Sequence, residues 1–160
     1  MKNSELTGCS WTKRTNSKIY FEFSQTAFST TLGAEFGVCY TNVSPSSANP
    51  TIWRTIGITN GNKNSNTGSV AYGTAFGVND ICGVAVDLVN GKIFFSKNGV
   101  WQGSGDPVAG TNAAFTDLVS SGYSWLPVIN GSGGDLCSGF ANFGQQPFIY
   151  SPPTSYKSLN

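Results

Sequence analysis

The sequence predicts an all-β fold, a sandwich of two antiparallel sheets with little helix. Three observations carry this. Charged residues are 11% of the chain, and Ser, Thr, Asn and 20 Gly stand in their place. That mix disfavours helices and suits short strands joined by tight turns. No window sustains a 3.6-residue apolar period, and residues 111–120 offer a short helical turn at most. Apolar residues instead alternate in short runs bounded by Gly and Asn.

The elements follow in order. A first short strand is expected at residues 10–12. In residues 19–25, Ile19, Phe21 and Phe23 alternate with Tyr20 and Glu22, the pattern of a half-buried strand. Phe36, Val38 and Tyr40 alternate in the same way through residues 34–40. Strands are expected at 55–59, 69–72 and 81–88. The next, 92–97, is joined to the last of these by Asn90-Gly91 and followed by Asn98-Gly99. Asn-Gly is a strong hairpin signal, because a type I′ turn needs positive φ at both central residues. Ile93 and Phe95 share the face expected inside, with Lys92, Phe94 and Ser96 on the other. Residues 125–129, 139–143 and 148–150 complete the set.

Four long connections are candidate binding loops, since loops on a rigid scaffold commonly carry recognition. They are residues 41–54, the polar tip 60–68, the excursion 101–119 and the loop 129–134. No internal repeat or linker interrupts the chain, and 160 residues suffice for one domain with a real core.

Composition excludes several chemistries. The chain has no His, so Ser-His, Cys-His and His-metal arrangements cannot form. No two of its eight acids are spaced i, i+2, as carboxylate-pair glycosidases of sandwich fold would require. Asp87 and Glu22 read as structural acids tied by hydrogen bonds. The loop around Asp106 is oxygen-rich, but one carboxylate provides poorly for Ca²⁺. Cys9, Cys39, Cys82 and Cys137 form no C-x-x-C pair, which argues against zinc and for free core thiols. No catalytic residue, metal or cofactor is expected. A net charge of +1, with scattered Lys, argues against nucleic acid. No apolar run is long enough to insert in a membrane. The N-terminus lacks the apolar core of a signal peptide, as expected for a protein not exported by that route or for a piece of a longer chain.

The run Asn79 to Gly99, N-D-I-C-G-V-A-V-D-L-V-N-G-K-I-F-F-S-K-N-G, resembles the central signature of SPRY (B30.2-like) domains. Lys18-Ile19-Tyr20-Phe21-Glu22-Phe23 is similar to the family's first strand. Trp125-Leu126-Pro127-Val128 and Ala141-Asn142-Phe143-Gly144 are similar to its late and closing strands. The blocks stand in the family's order across about residues 18–144. The resemblance implies one SPRY-like domain over residues 1–160, of concanavalin-like sandwich fold, with a C-terminal extension at 145–160. No PRY segment is recognisable in residues 1–17. Residues 102–115 and 145–159 also resemble SPRY modules of bacteriophage tail proteins.

The resemblance implies a non-catalytic recognition module whose ligand groove is built from loops at one end of the sandwich. Chain order places residues 41–54 and 130–134 at that end. No binding motif of the family can be carried over, so the candidates come from residue chemistry. Trp53, Arg54, Tyr72 and Trp101 lie in or beside loops and are of the types that dominate hot spots, and Asn130 opens the late loop. The first functional expectation is a virion tail module binding a host surface ligand or another virion protein. The alternatives are a cytoplasmic protein-binding adaptor and a lectin that takes glycans through exposed Trp and Asn.

Overall fold

The computed structural model describes residues 17–28, 34–40, 52–118, 125–131 and 137–160. The expected strand at 10–12 and the loop segments 41–51 and 132–136 lie outside the described residues. The strands are β1 (Lys18–Phe28), β2 (Ala34–Tyr40), β3 (Ile52–Gly57), β4 (Lys63–Ser65), β5 (Gly68–Val70) and β6 (Ile81–Asp87). They continue with β7 (Lys92–Lys97), β8 (Val100–Trp101), β9 (Trp125–Gly131), β10 (Cys137–Asn142) and β11 (Lys157–Ser158). One 3-10 turn at Gln102–Ser104 is the sole helical element among the described residues. The expected helical turn at 111–120 does not form through residue 118, where Phe115 instead bridges to Ile93.

The strands form two sheets. The first has the order β10-β1-β6-β7-β8, with β11 parallel to the start of β1; the second has the order β5-β4-β3-β2-β9. Between them lies one apolar core. Ile19, Phe21 and Phe23 of β1 meet Phe36 and Val38 of β2, Ile56 of β3, Val84 of β6, and Ile93 and Phe95 of β7. Phe23 stacks on Phe36 with ring centroids 4.9 Å apart. The predicted sandwich and the inward face of β7 are therefore both present.

The hairpin chemistry divides differently from expectation. Asn98 and Gly99 both have positive φ, 50° and 79°, and join Lys97 directly to its partner Val100. That is the tight two-residue turn the sequence signals. At Asn90-Gly91 only Gly91 has positive φ, and the loop runs four residues between Asp87 and Lys92. Asp87 is the reason. Its Oδ1 accepts the N–H groups of Val89 and Asn90, and its Oδ2 accepts the Asn90 amide. The carboxylate stabilises a longer turn than the dipeptide needs.

Both faces of the first sheet are buried along the middle of β1, β6 and β7. The C-terminal segment crosses its outer face, where Tyr20, Ala85, Phe94 and Tyr156 form a second core with Trp101 and Phe148 beside it. Glu22 anchors the crossing: its carboxylate accepts the backbone N–H groups of Ile149 and Tyr150, each at 2.9 Å, and the Tyr20 hydroxyl at 3.0 Å. Residues 148–150 thus bind the sheet through one carboxylate rather than as the expected strand. The strand in this segment is β11, further on.

Cys39 and Cys82 are buried free thiols, and burial pushes the Cys39 thiol up to about 11. Both should resist alkylation in the native protein and react once it is unfolded, with no reductant needed. Mass spectrometry reads this directly; either one in a disulfide would contradict it.

Candidate functional site

The outer face of the second sheet mixes buried and half-buried residues, and β2 sets that face. Phe36 and Val38 turn into the core, so Glu35, Gly37 and Cys39 turn away from it. The register extends the pattern to the neighbouring strands. Cys39 pairs with Trp53 on one side and Leu126 on the other; Gly37 pairs with Thr55 and Val128; Glu35 pairs with Gly57 and Asn130. Three rungs result, running from apolar to polar. Trp53, Glu35, Leu126 and Val128 are all half-buried. At Gly37 no side chain fits, because a Cβ would fall 2.2 Å from the Arg54 carbonyl oxygen. The middle rung is closed at its centre, where Gly37 and Thr55 are both buried.

Glu35 closes the polar end. Thr55 Oγ1 donates to its Oε2 at 2.7 Å, and the Asn64 amide donates to its Oε1 at 3.0 Å. Asn64 Oδ1 is left buried without a hydrogen-bond partner. Sequence reasoning passed over Glu35, Thr55 and Asn64. The signal was the alternation in β2, which already puts an acid on the face opposite Phe36 and Val38.

The five sequence candidates do not converge. Trp53 and Arg54 lie inside β3, which begins at Ile52 instead of the expected Thr55. Trp53 belongs to the outer face, and Asn130 holds the register position beside Glu35. Arg54 faces the other way. It donates Nε to Asp117 Oδ1 at 2.9 Å and NH1 to Asn66 at 3.0 Å, and lies 5.3 Å over the Phe115 ring. Its guanidinium clamps the 101–119 excursion to the second sheet. Tyr72 plugs the same seam: its hydroxyl donates to Asn112 O at 3.2 Å and its ring packs on Gly103. Burial raises its pKa to about 12. Trp101 sits on the first sheet, edge-on to Tyr20 with centroids 6.5 Å apart.

The loop-end site expected from chain order is also corrected. β2 and β9 are antiparallel, with Tyr40 opposite Trp125 and Ala34 opposite Gly131. The segment after Tyr40 and the segment after Gly131 therefore leave from opposite ends of the sheet, about 20 Å apart at the usual strand rise. What lies between those ends is the outer face of the sheet.

The other acids have local work. Asp106 Oδ1 accepts the N–H groups of Val108 and Ala109. Among the described residues, no three His, Cys, Asp or Glu side chains gather to hold a metal ion, and no helix is long and apolar enough to cross a membrane. Burial of Asp87 works to raise its pKa, but bonds from Asn90 and the Lys18 ammonium at 3.1 Å outweigh it and hold the carboxyl below the ordinary range. A depressed folded pKa stabilises above the unfolded value, about 3.9, and that contribution is lost as pH falls through the folded value. The melting temperature should therefore fall below about pH 4. Asp87→Asn should lower it at neutral pH and flatten the acid decline. Parallel wild-type and variant profiles would assign the acid sensitivity elsewhere.

Comparison with known proteins identifies the fold's kin. The family described as the SPRY domain matches residues 18–123. Ran-binding protein 10 of Danio rerio is 36% identical over 79 residues, which are 49% of this chain and 11% of that protein. The E3 ubiquitin-protein ligase RKP of Arabidopsis thaliana is 35% identical over 81 residues, 49% of this chain and 6% of the ligase. This chain thus spans a small part of the length of the relatives it matches. The expected kinship with phage tail modules finds no support in these relatives. SPRY domains are protein-interaction domains and generally non-catalytic, and the ligase shares only a short stretch with this chain. With its two-sheet sandwich and a match across two thirds of its length, this chain belongs to the SPRY domain family.

Proposed function

We propose that this chain is a non-catalytic adaptor domain that works inside the cell and holds a partner protein against the outer face of the second sheet, at the half-buried Trp53. The observation that carries this is the SPRY match over residues 18–123, since the family's domains bind proteins. One matched relative is named for binding Ran and the other for ligating ubiquitin to protein, and both names describe work on other proteins. These relatives favour the adaptor over the virion module, whose support is the likeness of residues 102–115 and 145–159 and a weakly charged composition rich in Ser, Thr, Asn and Gly. The lectin reading rests only on the face's Trp and Asn.

Panning the 160-residue chain against a displayed nonapeptide library, beside a glycan array, tests the reading. Peptide binders are expected. Trp53→Ala should leave the melting temperature nearly unchanged and cost about 2 kcal/mol or more in affinity for them. Glycan binders without peptide binders would point to the lectin. Peptide binders indifferent to Trp53→Ala would move the site off this face.

A further inference from the structure

We propose that Asn90 is a site of spontaneous deamidation, and that the product breaks the turn joining β6 to β7. The site is independent of the partner face. The chain carries four Asn-Gly pairs, at residues 60, 90, 98 and 130. In such a pair the glycine has no side chain to hinder attack by its backbone nitrogen on the asparagine Cγ. That nitrogen loses its proton and bonds to Cγ, the Cγ–Nδ2 bond breaks, and ammonia leaves. One water from solvent then opens the cyclic imide at either carbonyl, giving aspartate or isoaspartate. Nothing is oxidised or reduced.

Asn60, Asn90 and Asn98 have described side chains, and all three are exposed, so water reaches each. They differ in how they are held. Asn98 is fixed at both side-chain atoms: its Nδ2 donates to Asp80 Oδ1 at 2.6 Å, and its Oδ1 accepts the Ile81 N–H at 2.8 Å. At Asn60 the attacking group is engaged, because the Gly61 N–H donates to Gly57 O at 2.9 Å. Asn60 Oδ1 also accepts the Asn62 N–H at 2.9 Å. Gly61 packs so tightly on Thr74 that a Cβ there would fall 2.4 Å from the Thr74 backbone. Asn90 is held less. Its Nδ2 donates to Asp87 Oδ2 at 2.9 Å, but no hydrogen bond among the described residues engages its Oδ1 or the Gly91 N–H. Of the three, Asn90 alone joins a side chain held at one atom to an unbonded glycine N–H.

The consequence runs through Asp87. That carboxylate holds the turn by accepting the N–H groups of Val89 and Asn90 and the Asn90 amide, and it pairs with the Lys18 ammonium at 3.1 Å. Deamidation removes the amide donor and leaves a second carboxylate beside the first. Like charges so close repel, and one ammonium must then serve both. Isoaspartate also adds a carbon to the main chain, which shifts the turn against its strands.

The test incubates the 160-residue chain at physiological temperature and mildly alkaline pH and maps the Asn-Gly peptides by mass spectrometry. In the native protein Asn90 should deamidate about ten-fold or more faster than Asn60 and Asn98, the rate equivalent of one or two net hydrogen bonds. In urea the three should react alike, since each is followed by Gly. Asp80→Ala should speed Asn98 more than Asn90. Asn90→Asp should lower the melting temperature of the fresh protein. Native rates at Asn90 equal to or below those at Asn60 and Asn98, or an Asp80→Ala variant with Asn98 unchanged, would overturn the assignment of the site. An Asn90→Asp variant as stable as wild type would overturn its effect on the turn.

Discussion

Glu22→Ala should destabilise the domain by about 3–5 kcal/mol, a large share of the 5–15 kcal/mol typical of a domain. Glu22 is 3% exposed, and its carboxylate is the shared acceptor for Ile149 N–H, Tyr150 N–H and the Tyr20 hydroxyl. Alanine removes all three acceptor contacts at once, and each buried donor left unpaired costs about 1–3 kcal/mol. The loss should not be spread evenly. The amides of Ile149 and Tyr150 should lose hydrogen-exchange protection first, since their anchor is gone, while β6 and β7 should open only with the whole domain. Glu22→Gln should fall between, because the amide keeps one acceptor oxygen and turns its NH₂ toward a donor. Denaturant unfolding with exchange measured by mass spectrometry reads both effects. A loss under about 0.5 kcal/mol, or native amides at 149 and 150 that exchange freely, would mean that the C-terminal segment is not held through Glu22.

What the sequence makes legible is the alternation that a single strand carries within itself. β2 and β7 have the bounds expected from their patterns, 34–40 and 92–97, because their apolar residues mark one face without ambiguity. β4 was hidden. Lys63-Asn64-Ser65 is polar and sits in an Asn- and Gly-rich run, and it is a strand only because β3 pairs with it. Arg54 looked like a loop residue with a free charge. Its partner Asp117 is 63 positions away, and no local pattern connects the two. The site was obscured for the same reason. That the segments flanking Trp53 and Asn130 leave opposite ends of one sheet follows from the β2–β9 register, which chain order does not contain. Long-range pairing decided what local chemistry left open.

Phe94→Ala should cost about as much as Phe95→Ala, each about 3–5 kcal/mol. The pattern of β7 argues otherwise, since Phe95 shares the core face with Ile93, and Phe94 shares the other with Lys92 and Ser96. Yet both rings are fully buried, at 0% exposure. They belong to different cores. Phe95 packs between the sheets, whereas Phe94 lies in the cluster with Tyr20, Ala85 and Tyr156 under the C-terminal segment. Tyr156 is held there by its own bond, the hydroxyl donating to Pro107 O at 3.3 Å. A double-mutant cycle separates the two cores. Phe94→Ala with Tyr156→Ala should depart from additivity by about 0.5 kcal/mol or more, because the first cavity loosens the second contact. Phe95→Ala with Tyr156→Ala should add within about 0.5 kcal/mol, since the sheet stands between them. If Phe94→Ala costs under about 1 kcal/mol while Phe95→Ala costs the full amount, the C-terminal segment does not seal the outer face of the first sheet in solution.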